Sequence, residues 1–149
     1  MTGEITITRV YDAPRERVWA AWTEPERLAA WWGKRGWRTP PESVTIELRP
    51  GGAFRLDSIS DADGATMTLD ATFHEVVPPA RLVFGGPSGD RRTTVTFTDL
   101  GDGRTEMTFH TTQHVDADPA LRERAAGGLA SAFDRLADHL GAPATQETP

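Results

Sequence analysis

The stretch 118–141, DPALRERAAGGLASAFDRLADHLG, decides the fold. Leu121, Ala125, Leu129, Ala132, Phe133, Leu136 and Leu140 recur at helical spacing and draw one apolar stripe down an otherwise polar rod. Asp118 suits the N-cap, and Pro119 suits the first helical position, where its missing N–H would be unpaired anyway. Gly141 suits the C-cap, Pro143 blocks continuation, and the tail 142–149 is expected to be disordered. Such a helix needs an apolar surface as long as itself. In its middle, Gly127-Gly128 costs about 1 kcal/mol per residue relative to Ala, which marks either close approach or deliberate space.

The rest of the chain supplies that surface. Glu4–Tyr11 alternates Ile5 and Ile7 with Thr6 and Thr8 and reads as a strand. Two short helices follow. The first opens at Pro14 and runs to about Trp22; the second, roughly Glu24–Trp32, follows a capping box of Thr23 and Glu26. Beyond Pro40-Pro41 the period becomes two, through Val44, Ile46 and Leu48, then Phe54 and Leu56, then Met67, Leu69 and Phe73. Leu82 and Phe84, Val95 and Phe97, and Met107 and Phe109 continue it, with turns at Pro50-Gly51-Gly52, Asp63-Gly64 and Gly101-Asp102-Gly103. The expected fold is α+β: a curved antiparallel sheet of about seven strands wrapped around the long C-terminal helix, with two short helices between strands 1 and 2.

Composition narrows the function. A length of 149 residues fits one domain, placed at 1–141, with one sizeable core. With no cysteine, disulfides, thiolate metal sites and thiol nucleophiles are excluded. A net charge of −6 disfavours a nucleic-acid backbone as partner. No membrane span is legible, and Met1–Thr6 does not read as a secretory signal, so a cytoplasmic location is expected. All five Trp (Trp19, Trp22, Trp31, Trp32 and Trp37) lie in one short window, and rings of that size must be sheltered by the fold, a ligand or a partner. The oligomeric state stays open, a homodimer included.

Several segments occur together and in order: Ala13-Pro14-Arg15-Glu16-Arg17-Val18-Trp19, Trp31-Trp32, Arg49-Pro50-Gly51-Gly52, Asp63-Gly64, Glu75-Val76-Val77-Pro78-Pro79-Ala80-Arg81-Leu82-Val83-Phe84, and the closing segment from Gly128 to Leu136. In this the chain resembles the bacterial proteins grouped with the activator of the heat-shock-protein-90 ATPase. These belong to the START-like, birch-pollen-allergen-like helix-grip superfamily, also called SRPBCC. The resemblance runs from Ile5 to about Leu140 and implies the helix-grip fold and a central cavity for apolar molecules. Two positions depart from the family: Leu129 stands where Trp is frequent, and Ala71 where Gly is frequent.

Strand parity tests for chemistry. The inward set is Val44, Ile46, Leu48, Phe54, Leu56, Met67, Leu69, Phe73, Leu82, Phe84, Val95, Phe97, Met107 and Phe109, joined toward strand ends by Ser58, Thr93, Thr111 and Gln113. Glu47, Arg55, Asp57, Asp70, His74, Glu106 and His110 face outward, and Glu75 would face inward only in a regular strand. General acid–base work needs a titratable group within reach of the substrate, and this interior scarcely offers one. His110 and His114 lie about 13 Å apart along a strand, too far to share a metal, and Ser58, Ser88 and Ser131 carry no nucleophile motif. No catalytic residue, metal or cofactor is therefore assigned.

The expected function is non-enzymatic binding of a small apolar or amphipathic molecule. Its cavity would be lined by Trp22, Trp31, Trp32, Phe54, Leu56, Met67, Leu69, Phe73, Phe84, Val95, Phe97, Met107, Phe109, Leu129 and Phe133. Lys34, Arg35 and Arg38 would form a basic rim able to take an acidic end of the ligand. The alternatives are an enzyme of the cyclase, dehydratase or hydrolase type, needing an inward acid or base such as Glu75 or His110 placed by a β-bulge, and a chaperone ATPase regulator, suggested by the family's name alone.

Overall fold

The structure is a computed structural model and describes residues 4–33, 35–86, 92–112 and 118–141. Lys34, Ser88, Gln113, His114 and the tail 142–149, to which expectations were attached, lie outside the described residues. The elements in order are β1 (Ile5–Tyr11), α1 (Arg15–Thr23), α2 (Pro25–Ala29), β2 (Trp37–Arg38), β3 (Thr45–Ile46), β4 (Ala53–Ser60), β5 (Thr66–Val77), β6 (Arg81–Gly85), β7 (Arg92–Asp99), β8 (Thr105–Thr111) and α3 (Pro119–Gly141). Eight strands form one antiparallel sheet in the order β1-β8-β7-β6-β5-β4-β2, with β3 also on β4. The long helix and the two short helices between the first strands stand as the sequence predicts.

α3 begins as its cap residues dictate, with the Asp118 carboxylate accepting from the Leu121 N–H at 2.9 Å. It lies along β1. Arg9 donates to Asp134 at 2.8 Å, Tyr11 donates its hydroxyl proton to the Phe133 carbonyl at 3.2 Å, and Arg17 reaches the Leu140 carbonyl at 2.8 Å. The first strand and the last helix are thereby joined, and β1 continues the sheet beside β8.

Four expectations need correction. The Thr23 hydroxyl donates back to the Trp19 carbonyl at 2.9 Å, and α2 has Glu24 at its N-cap with no side-chain cap bond, so no capping box forms. α2 ends at Ala29 rather than Trp32. Beyond it the Ala30 and Trp31 N–H groups donate only three residues back, to Arg27 and Leu28; Gly33 turns the chain at φ +91°, and Arg135 of α3 binds the carbonyls of Trp32 and Gly33.

The expected strand Val44–Leu48 shrinks to Thr45–Ile46 behind a 3₁₀ turn at Pro41–Ser43, and Leu48 is exposed rather than inward. The cause is the turn beyond it. Gly51 donates to the Phe73 carbonyl at 2.8 Å and Phe73 donates to the Gly52 carbonyl at 2.9 Å, so the glycines dock on β5 where a ladder would run. A Cβ on Gly52 would stand 2.0 Å from the Glu47 carbonyl oxygen, which only glycine permits.

Finally, β5 bulges between Phe73 and Glu75. The extra residue reverses parity: Val76 comes inward opposite Leu82, and Glu75 stays outside in an ion pair with Arg81.

Candidate functional site

The inner face of the sheet is apolar because every strand presents its alternate residues to the same side. β4 contributes Phe54 and Leu56, β5 Leu69 and Phe73, β6 Phe84, β7 Val95 and Phe97, and β8 Met107 and Phe109. α1 lays Val18 and Trp22 over this face, one helical turn apart, while α2 and the turn after it add Leu28, Trp31 and Trp32. α3 closes the assembly with Phe133 and Leu136.

Of the fifteen expected lining residues, eleven are buried in this one cluster, and Trp32, Leu69 and Leu129 pack against it half-buried. Met67 does not belong: it is 64% exposed. It stands opposite Ser58 in register, on the expected side of the sheet, but Thr66, Met67 and Thr68 are all exposed at the start of β5. Parity states which side of a sheet a residue takes, not how far the cover above it extends.

Trp22 is the hub. Its ring lies 5.0 Å from Trp31, 5.8 Å from Trp32, and between 6.3 and 6.4 Å from Phe84, Phe97, Phe109 and Phe133. The space beneath the C-terminal half of α3 is thus occupied by rings. The two best-formed hollows among the described residues are wide clefts on the outside. One, of about 390 Å³, lies between Ile5 and the first turns of α3; the other, of about 330 Å³, lies between Ala30, Arg35 and the last turns.

The two neighbouring tryptophans differ in one respect. Trp31 donates its indole N–H to the Ala21 carbonyl at 2.9 Å. Trp22, 1% exposed, has no acceptor for its own, and Trp22 Nε1 and Arg15 Nε are the two buried side-chain nitrogens in this state among the described residues. A buried donor left unpaired costs about 1–3 kcal/mol.

The buried polar side chains of the described residues are hydroxyls, four of them held in two pairs. Thr93 and Thr111 meet at 2.9 Å, and Thr39 and Ser58 at 3.1 Å, all four buried. The expected inward Ser58, Thr93 and Thr111 are therefore where parity puts them. Thr105, also buried, donates to the Ala13 carbonyl at 2.7 Å. Tyr11 is the buried group with the largest displacement in acidity, its phenol pushed well above the ordinary value by burial.

No acidic, basic or imidazole side chain is among the buried polar residues of the described chain. His110 faces outward, with its Nδ1 2.8 Å from the Thr6 hydroxyl, and His74 at the bulge lies 2.8 Å from the Gly86 carbonyl. Among the described residues no three of His, Asp or Glu come together as metal ligands. Of the expected basic rim, Arg35 pairs with Asp138 at 3.0 Å and Arg38 with Asp61 at 2.9 Å.

Sequence reasoning missed Arg135. From the polar side of α3 it donates through one nitrogen to the carbonyls of Trp32, Gly33 and Trp37 at 3.1, 2.8 and 3.1 Å, and so holds the turn that carries the tryptophans. The stripe pattern gave no sign of it, because the acceptors belong to a turn about a hundred residues earlier.

A sheet gripping a long C-terminal helix, with two short helices plugging one end over an aromatic interior, is the helix-grip architecture of the START-like superfamily. Within it the chain belongs to the family described as activator of Hsp90 ATPase homolog 1-like protein, which matches residues 12–141. Solved structures agree. Protein CV1439 from Chromobacterium violaceum is 28% identical, with 92% of this chain and 96% of that one covered at a TM-score of 0.80. Protein Ms6760 from Mycobacterium smegmatis is 25% identical over 95% and 93% at 0.77. An AHSA1-like protein from Aeromonas hydrophila, 23% identical over 98% and 97% at 0.79, shares the fold. A search of curated proteins gave no match. No helix among the described residues is long and apolar enough to cross a membrane.

Proposed function

We propose that the protein binds a small apolar or amphipathic molecule between the inner face of the sheet and the N-terminal half of α3, without transforming it. The reading is carried by the uneven seating of that helix. None of residues 118–131 is buried, although Leu121, Ala125 and Leu129 continue the apolar stripe, whereas Ala132, Phe133, Leu136 and Leu140 are buried. A segment with so little of its stripe covered opens at lower free energy than the rest of the fold.

A row that crosses five strands starts at Ile5, beside the first turns of α3, and continues through Thr111, Thr93, Phe84 and Phe73. A bound molecule would set its apolar body on Phe73 and Phe84. Hydroxyls and indoles are poor proton shuttles near neutral pH, which supports carriage or sensing over catalysis.

The test has two arms. Native mass spectrometry of gently purified protein should retain an added small mass, and titration with anilinonaphthalene sulfonate should give a saturable response that quenches tryptophan emission. Protein with no retained mass and no saturable dye response would overturn the reading.

A further inference from the structure

We propose that the indole N–H of Trp22 is the recognition donor of this site, so that the protein selects apolar, ring-bearing molecules carrying a carbonyl-type oxygen over equally apolar ones without it. The inference rests on the binding reading above and deepens it. Trp22 is 1% exposed, and its Nε1 has no hydrogen-bond partner, whereas Trp31 beside it is satisfied by the Ala21 carbonyl.

The surroundings decide where an acceptor can come from. Trp22 is ringed by Trp31, Trp32, Phe84, Phe97, Phe109 and Phe133, none of which offers an oxygen from its side chain. None of the buried hydroxyls meets the Trp22 N–H: Thr93 and Thr111 pair with each other, Thr39 with Ser58, and Thr105 donates to the Ala13 carbonyl. A guest that enters among the rings would bring the acceptor that the Trp22 N–H lacks. Phe84 lies in the row that starts at Ile5 and Phe109 beside it, so a guest seated on that row lies against two of the rings around Trp22. Aromatic walls favour a flat aromatic or alicyclic body, and an indole donor in a dry setting favours one well-placed oxygen strongly.

The experiment compares acetylnaphthalene with isopropenylnaphthalene, in which a methylene replaces the carbonyl oxygen at nearly equal size. Wild-type protein should bind the acetyl probe about tenfold more tightly. One of its indole N–H proton signals, assigned by its loss in Trp22→Phe, should move downfield with that probe alone. Trp22→Phe keeps a ring at the centre and should bind both probes equally. Equal binding by wild-type protein, or a preference that survives in Trp22→Phe, would overturn the assignment while leaving the binding reading standing. Binding of neither probe would overturn both. Should Trp22→Phe fail to fold, single Trp→Phe changes at Trp19, Trp31, Trp32 and Trp37 assign the Trp22 signal by elimination: its movement with the acetyl probe only supports the assignment, and its movement with both probes or with neither refutes it.

Discussion

The Tyr11 hydroxyl, at the end of β1, donates to the Phe133 carbonyl on α3 at 3.2 Å, and both side chains are almost wholly buried. Tyr11→Phe should cost about 1 kcal/mol of stability while leaving the fold unchanged. Burial raises the phenol's pKa above its ordinary value of about 10, so the native state keeps its proton where the unfolded chain has lost it. The contribution is therefore complete below about pH 10 and declines as pH rises beyond it. Tyr11 is the chain's one tyrosine, so tyrosinate absorbance reads it alone. Urea melts across that range should show wild type losing its advantage over Tyr11→Phe on the alkaline side. Titration of the native absorbance at the ordinary phenol value would contradict this.

Gly52→Ala should destabilise by about 2–3 kcal/mol, because its new Cβ meets a backbone oxygen that is itself held by the turn. Gly51→Ala meets nothing within 4 Å but sits at φ +83°, and should cost only about 1–2 kcal/mol of backbone strain. Thermal melts of the pair separate the two causes; equal losses would remove the steric argument.

These elements show what could be read from residues alone. Inside and outside were legible along β4, β7 and β8, because alternation is a local property of a strand. The extent of cover was not legible, and Met67 and Leu48 were misplaced for that reason. Nor was the bulge at β5, since nothing in Phe73-His74-Glu75 announces an extra residue, although it decides that Glu75 stays outside. Apolar membership of the site followed from pattern; its filling did not, because whether fourteen side chains leave a hole depends on rotamers and on where Trp22 comes to rest.

Arg135→Met keeps the apolar stem and removes the donors. It should cost about 2 kcal/mol and shift tryptophan emission to the red, as the turn carrying Trp32 and Trp37 loosens. A stability loss with unchanged emission would place the effect elsewhere than the turn.

Gly127 is exposed, and a Cβ there meets nothing within 4 Å, so neither close approach nor buried space explains it. Gly127→Ala should therefore stabilise the protein by about 1 kcal/mol through helix propensity. If the N-terminal half of α3 must yield to admit a guest, the same change should slow anilinonaphthalene sulfonate uptake in stopped-flow mixing. Unchanged kinetics would separate α3 from the entry route.

Leu129→Trp tests the site itself. Leu129 is half-buried against the aromatic cluster, and a larger ring should keep the fold while weakening dye binding by filling space. Unaltered affinity would put Leu129 outside the site.

The pairing of β1 with β8, and the seating of α3 on β1, have a further consequence for how the chain matures. During synthesis Trp22 and Trp31 emerge about a hundred residues ahead of Phe133, whose ring packs against both. Until it arrives the nascent chain holds two large indoles without their roof. Phe133→Asp should thus lower the cell's yield of this protein far more than Leu121→Asp, a change at an exposed position of the same helix.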